Sequence, residues 1–198
     1  MKQIVVLGGP NGAGKTTAAQ IILPTMLDIA DFLNADEIAR GLSPFDSNAT
    51  ALAAGRVMLE RMHALAEGER SFAIETTCSG RAHVGFLRRC KAQGWLITLV
   101  FFWLPSPQLA MDRVARRVTS GGHGIPPDTI ARRYWSGLRN MLDHYLPLAD
   151  QASIYDNSQV PPLLIARRQH VALQVHDAER WDAIERARHP GDDPATHQ

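Results

Sequence analysis

The sequence has no apolar run approaching the roughly 18 residues that a bilayer span requires. Its longest candidate, Leu96 to Leu104, suits a buried strand, so no membrane partner is expected. Cysteine is scarce. Cys78 and Cys90 are the 2 present, and they form neither a disulfide scaffold nor a metal-ligand spacing. Charge of one sign is also missing. A formal net charge of +1 argues against recruitment by duplex nucleic acid or an anionic membrane. Trp95, Trp103, Trp135 and Trp181 are scattered, as core or edge packing requires, and do not make a base-stacking platform. Repeats and low-complexity segments are absent. The opening run Ile4 to Leu7 is too short for a signal-peptide core and precedes no small-residue cleavage site, so a cytoplasmic chain is expected.

What remains is an ordinary globular composition. The 198 residues, 45% hydrophobic and 21% charged, fit one domain. Short aliphatic runs alternate with longer helical patterns, which predicts an α/β fold with a mostly parallel sheet and crossover helices. Strands are expected at Gln3 to Leu7, Ile29 to Leu33, Ser71 to Ile74, Leu96 to Trp103 and Ala152 to Tyr155. Leu163 to Arg167 and Val171 to Val175 suggest a hairpin at the sheet edge. Helices are expected from Lys15 to a stop near Pro24, and over Ser47 to Glu67, Arg81 to Gln93, Pro107 to Thr119 and Asp128 to His144. Ser106 caps the fourth of these. The expected kinase domain covers 1–188, with a lid around 113–133, and the tail from His189 is expected to be disordered.

The strongest local signal is Gly9-Pro10-Asn11-Gly12-Ala13-Gly14-Lys15-Thr16, followed by Thr17. It satisfies Gly-x-x-x-x-Gly-Lys-Ser/Thr and lies between a predicted strand and a predicted helix, the context that this phosphate loop needs. Glycines let backbone N–H groups turn inward around a phosphate, and the helix N-terminus adds its positive dipole end. Lys15 is placed to reach the β- and γ-phosphates, and the Thr16 hydroxyl to ligate Mg²⁺. ATP and Mg²⁺ are therefore the expected cofactors.

Three further features favour phosphoryl transfer. Asp36 follows the second strand, where ligands of doubly wound sheets sit. Two readings stand: a general base for an attacking hydroxyl, or the N-cap of a helix through Ile38-Ala39-Arg40. Glu75, with Thr76 and Thr77, ends the third strand. It reads equally as a carboxylate that holds Mg²⁺ through water or a substrate hydroxyl, or as an exposed strand-end Glu with no task. Arg113, Arg116 and Arg117 precede the break Gly121-Gly122-His123-Gly124, and Arg132 and Arg133 follow it. Singly, such arginines read as a solvated face. Around a glycine-rich loop they make a lid that closes over transferring phosphate. No Asn-Lys-x-Asp guanine motif, transport-ATPase signature or acidic strand end of a motor ATPase occurs.

The combination of Gly8 to Thr17, Asn34-Ala35-Asp36-Glu37, Ile74-Glu75-Thr76-Thr77, Gly121-Gly122-His123 and Tyr155-Asp156-Asn157-Ser158 resembles the zeta-toxin-like P-loop proteins, in their short stand-alone bacterial branch. The resemblance covers about residues 3 to 182. It implies a P-loop kinase fold with a central, mostly parallel five-stranded sheet. By resemblance Asp36 is the general base and Glu75 and Thr77 line the sugar-substrate pocket. Arg117 and one of Arg132 or Arg133 contact the transferring phosphate and Asn157 lies near the adenine; Arg113 is expected among the nucleotide-binding residues. Zeta toxins phosphorylate the 3′-hydroxyl of UDP-N-acetylglucosamine and are held by small helical antitoxins. This chain is shorter than the larger toxins. A kinase of a nucleoside, antibiotic or polynucleotide end stands as an alternative, as does an ATP-dependent switch protein. A polynucleotide acceptor would call for a basic groove, which a near-neutral charge does not suggest.

Overall fold

The computed structural model describes residues 2–26, 29–43, 50–119, 124–169 and 172–188. The expected start of the long helix at Ser47, the Gly121-Gly122-His123 part of the lid, Val171 of the expected hairpin and the tail from His189 lie outside these residues.

A seven-stranded sheet forms the centre, in the order β2 (Asp31–Asn34), β3 (Phe72–Thr76), β1 (Gln3–Gly8), β4 (Leu96–Trp103), β5 (Gln151–Asp156), β6 (Leu163–Gln169), β7 (Ala172–Val175). The first five in this order are mutually parallel, while β6 and β7 join as an antiparallel edge hairpin. The five-strand count is thereby corrected to seven: the edge hairpin pairs with β5 and extends the same sheet. Ile4 to Leu7 and Ile97 to Trp103, Thr98 apart, are buried apolar residues, as strands covered on both faces require.

Helices α1 (Lys15–Met26), α2 (Ala35–Leu42), α3 (Ala51–Glu67), α4 (Ala82–Ala92), α5 (Pro107–Thr119) and α6 (Pro127–Asn140) make the crossovers. Helix α1 passes through Pro24 instead of stopping there. A proline three residues from the end removes a single backbone bond from the last turn, so its position limits the damage. Ala54, Met58, Met62 and Leu65 are the buried face of α3, as the 3.6-residue period predicts. At α5 the Ser106 hydroxyl accepts from Leu109 N at 3.2 Å, the expected cap.

Helix α6 passes into a π-helical turn, Met141–Tyr145, then a short helical turn α7 (Leu146–Leu148). The last helix, α8 (Ala178–Arg186), is capped by Asp177 and buries Trp181 and Ile184. Among the described residues no helix is long and apolar enough to cross a membrane.

Candidate active site

Because β1 lies between β3 and β4, its carboxyl end places the phosphate loop at mid-sheet, where ligands of open α/β sheets collect. Gly12 and Gly14 both have φ of +77°, a region closed to most side chains. A Cβ on Gly14 would also meet Asn157 Nδ2 at 2.9 Å. The loop then enters α1 at Lys15.

Lys15 is buried. Its ammonium donates to Pro10 O at 2.9 Å and faces Glu75 Oε1 at 3.6 Å. A buried charge without such partners would be strongly destabilising. An ammonium has three donors, so these contacts leave capacity for a phosphate oxygen. Asn11, also buried, has a side-chain oxygen with no partner among the described residues.

Glu75 is the meeting point. The parallel register sets it beside Leu7 of β1 and Asn34 of β2. Its Oε2 accepts from the Thr16 hydroxyl at 2.7 Å and from Asn34 Nδ2 at 3.0 Å.

Helix α2 starts at the end of β2, and its N-cap is Asn34, not Asp36. Asn34 Oδ1 accepts from Asp36 N at 2.8 Å and Glu37 N at 3.4 Å. Capping needs an acceptor two or three residues before the N–H groups it satisfies, and Asp36 is two residues too late. The Asp36 carboxylate is therefore left exposed, with no partner among the described residues.

These groups line one cavity of about 780 Å³. Asn11, Gly12, Gly14, Lys15, Thr16 and Thr17 form its phosphate end, and Gly9, Pro10 and Ala13 of the loop do not line it. Asp36, Glu75 and Thr77 line the same cavity, as do Arg113, Arg117, Arg132 and Arg133. Arg113 and Arg117, one turn apart on α5, thus share the face expected of them, and Arg116 does not line the cavity. Arg132 is exposed and Arg133 half-buried.

Asn157 stands elsewhere. Its amide donates to Ala13 O at 2.7 Å and it does not line the cavity. Arg113 donates to Asn157 O at 2.8 Å and Ser158 O at 3.0 Å. Together they brace the phosphate loop from the β5 side. Behind them the buried Asp156 accepts from Arg180 Nε of α8 at 2.8 Å. Burial alone would raise the Asp156 carboxyl, but the Ser158 hydroxyl and N–H and the Arg180 guanidinium hold it below its ordinary value.

Asn34, Ser79 and His83 were given no role from the sequence, yet all three line the cavity. Ser79 pairs with the Thr77 hydroxyl at 2.8 Å. Their loop is held by Asn140, which donates to Cys78 O at 2.9 Å and Ser79 O at 3.0 Å, and by Tyr145 OH to Gly80 O at 3.1 Å. Burial lowers the His83 imidazole from its ordinary value, which keeps it neutral. Cys78 is fully buried beneath the phosphate loop. Desolvation pushes its thiol up to about 12 against the opposing Lys15 charge, so it is a packing residue. Asn34 was legible in principle, as an asparagine between a strand and a helical pattern. The other two face the cavity only through tertiary packing.

A family model described as an AAA domain matches residues 4–134, more than half of the chain, from β1 through the phosphate loop, Asp36 and Glu75 to α6. The chain belongs to this AAA_33 family. An uncharacterized protein of Haemophilus influenzae is 27% identical over 126 residues, 64% of this chain and 88% of that protein. Among solved structures, the AvrRxo1-ORF1:AvrRxo1-ORF2 complex with sulphate ions aligns with a TM-score of 0.73 at 15% identity, over 93% of this chain. This AAA_33 chain spans 63% of the length of that protein. The PezAT chromosomal toxin-antitoxin system of Streptococcus pneumoniae aligns at 0.63 and 16% identity, covering 94% of this chain and 86% of that one. Shikimate kinase from Acinetobacter baumannii, in complex with shikimate, aligns at 0.50 and 17%, covering 79% and 84%. At such identities the likeness is one of fold, and the fold is that of P-loop kinases.

Proposed function

We propose that the chain is an ATP- and Mg²⁺-dependent phosphotransferase that moves the γ-phosphate to a hydroxyl of a small molecule. The observation that carries this reading is the unpartnered Asp36 carboxylate in one cavity with Lys15, Thr16 and the α5 and α6 arginines.

The residues fit a nucleotide with its metal. Thr16 donates its hydroxyl proton to Glu75, which leaves an oxygen lone pair for a hard cation. Mg²⁺ commonly takes only one or two protein ligands and fills its shell with phosphates and water, so the Thr16 hydroxyl alone is a sufficient protein ligand. Bound there, the ion would neutralise charge on the β- and γ-phosphate oxygens. Lys15 binds the same phosphates from the loop. The acceptor hydroxyl passes its proton to an Asp36 carboxylate oxygen as its oxygen bonds to the γ-phosphorus. The bond from phosphorus to the bridging oxygen breaks, and ADP leaves. Arg117 and Arg132 or Arg133 stabilise charge on the equatorial oxygens. The lid at 113–133 and the single kinase domain over 1–188 belong to this reading.

For the acceptor, the resemblance to zeta toxins favours a UDP-N-acetyl sugar, held by Glu75 and Thr77. A cytoplasmic site of action follows from the need for ATP. A small antitoxin partner is supported by neighbours solved as the AvrRxo1-ORF1:-ORF2 complex and studied as a toxin-antitoxin system. The test is a panel of UDP-sugars, nucleosides, aminoglycosides and oligonucleotides with γ-labelled ATP and Mg²⁺. One acceptor should gain label, and Lys15→Ala should abolish the transfer. Tight ATP binding with no labelled acceptor would instead favour a switch protein.

A further inference from the structure

Asn34 has both ends of its side-chain amide engaged on two different elements of the cavity. Its oxygen caps α2, accepting from Asp36 N at 2.8 Å and Glu37 N at 3.4 Å. Its nitrogen donates at 3.0 Å to Glu75 Oε2, the oxygen that also accepts the Thr16 hydroxyl at 2.7 Å. The residue is 7% exposed, so solvent does not compete for either bond. The amide can work only this way round. Reversed, its NH₂ would face two N–H donors and its oxygen a carboxylate.

We infer that Asn34 is a positioning residue that fixes the candidate base against the phosphate centre. The inference rests on the phosphotransferase reading above. An amide is planar and its oxygen and nitrogen diverge at a fixed angle, so a shift at one end is imposed on the other. The chain of bonds runs Thr16, Glu75, Asn34, Asp36 N: from the first residues of the nucleotide-binding helix to the first turn that carries the base. The β2–β3 register makes this possible by setting Asn34 and Glu75 as direct neighbours at the carboxyl ends of their strands. No other side chain satisfies both ends. Serine caps a helix but is too short to reach Glu75. Aspartate caps equally well but presents an acceptor to a carboxylate. Glutamine adds a methylene between cap and backbone. The role also explains why capping sits on Asn34: it leaves the Asp36 carboxylate unused by the fold.

The experiment compares Asn34→Ser and Asn34→Asp with the wild type and with Asp36→Asn in the full chain. Both Asn34 variants should keep the KM for ATP within about threefold and lose about 10–100-fold in kcat, as misplacement of a supporting group does. Hydrogen exchange at the Asp36 and Glu37 amides supplies a readout independent of turnover. In the wild type a non-hydrolysable ATP analogue should slow it. In Asn34→Ser basal protection should persist, because the cap survives, while the response to the analogue disappears. Wild-type kcat in both Asn34 variants, or an analogue response that survives in them, would overturn the inference. Full turnover in Asp36→Asn would instead strike the reading on which it rests, and the exchange data would still decide the coupling. Should Asn34→Asp fail to fold, Asn34→Ser carries both readouts.

Discussion

The two ends of the cavity are built differently. At the phosphate end the loop is held by side chains already committed to backbone carbonyls. Lys15 holds Pro10 O, Asn157 holds Ala13 O, and Arg113 spans the carbonyls of Asn157 and Ser158. At the acceptor end Asp36 and Arg132 are exposed and Arg133 is only half-buried. The difference follows from chemistry. The same triphosphate group is bound at every turnover, so a pre-organised cradle loses little entropy on binding it. Transferring charge must be enclosed only during reaction, which suits side chains that close over it. A rigid floor and an adaptable roof are what a phosphotransferase fold needs if acceptors differ between relatives.

Four substitutions break this contrast, from the largest effect to the smallest. At the roof, the proposed role puts an α6 arginine on the transferring phosphate, where it acts in the transition state. Under that role Arg133→Ala should lower kcat by about 10³-fold and leave ATP affinity within a few-fold. Steady-state kinetics with direct nucleotide titration checks this, and Arg132→Ala, from a more exposed position, should lose less. At the floor, Asn157→Ala should do the reverse. It leaves the buried Ala13 carbonyl unpaired, at about 1–2 kcal/mol of stability. ATP affinity should drop about tenfold while kcat at saturation changes little, read by calorimetric titration and thermal unfolding.

The smallest effect lies behind the floor, at Asp156. Its folded carboxyl titrates below the ordinary carboxylate value, so its contribution to stability is present above pH 3.8 and is lost as the pH falls through the folded value. Asp156→Asn should therefore flatten the acid limb of the unfolding curve below about pH 4 and leave the curve's shape above it unchanged. An acid limb identical to that of the wild type would remove Asp156 from the bracing network.

The same division marks what could be read from the sequence. Local signals were legible: the phosphate loop, the Ser106 cap and the apolar run Leu96–Trp103 appear as expected. The hairpin at the edge was visible as two runs, but its pairing with β5 depends on tertiary contact. The sequence leaves Asp36 open as base or cap because Asn and Asp are both good caps and both occur there; the structure puts the cap on Asn34. By resemblance Asn157 lies near the adenine, and no local signal foretells its bond to the loop backbone at Ala13, 144 residues earlier in the chain. Helix α8 went unread because a short, charged helix carries little periodic signal in sequence. His83 and Ser79 reach the cavity through the clamp of Asn140 and Tyr145, which no spacing foretells.

The most direct test of the account is γ-phosphate transfer by Asp36→Asn at saturating ATP, beside a measured ATP affinity. The account predicts ATP binding within about twofold of the wild type and kcat reduced by about 10²–10⁴-fold, the usual worth of a general base. Transfer at the wild-type rate would contradict it and leave Asp36 as a surface carboxylate on the first turn of α2.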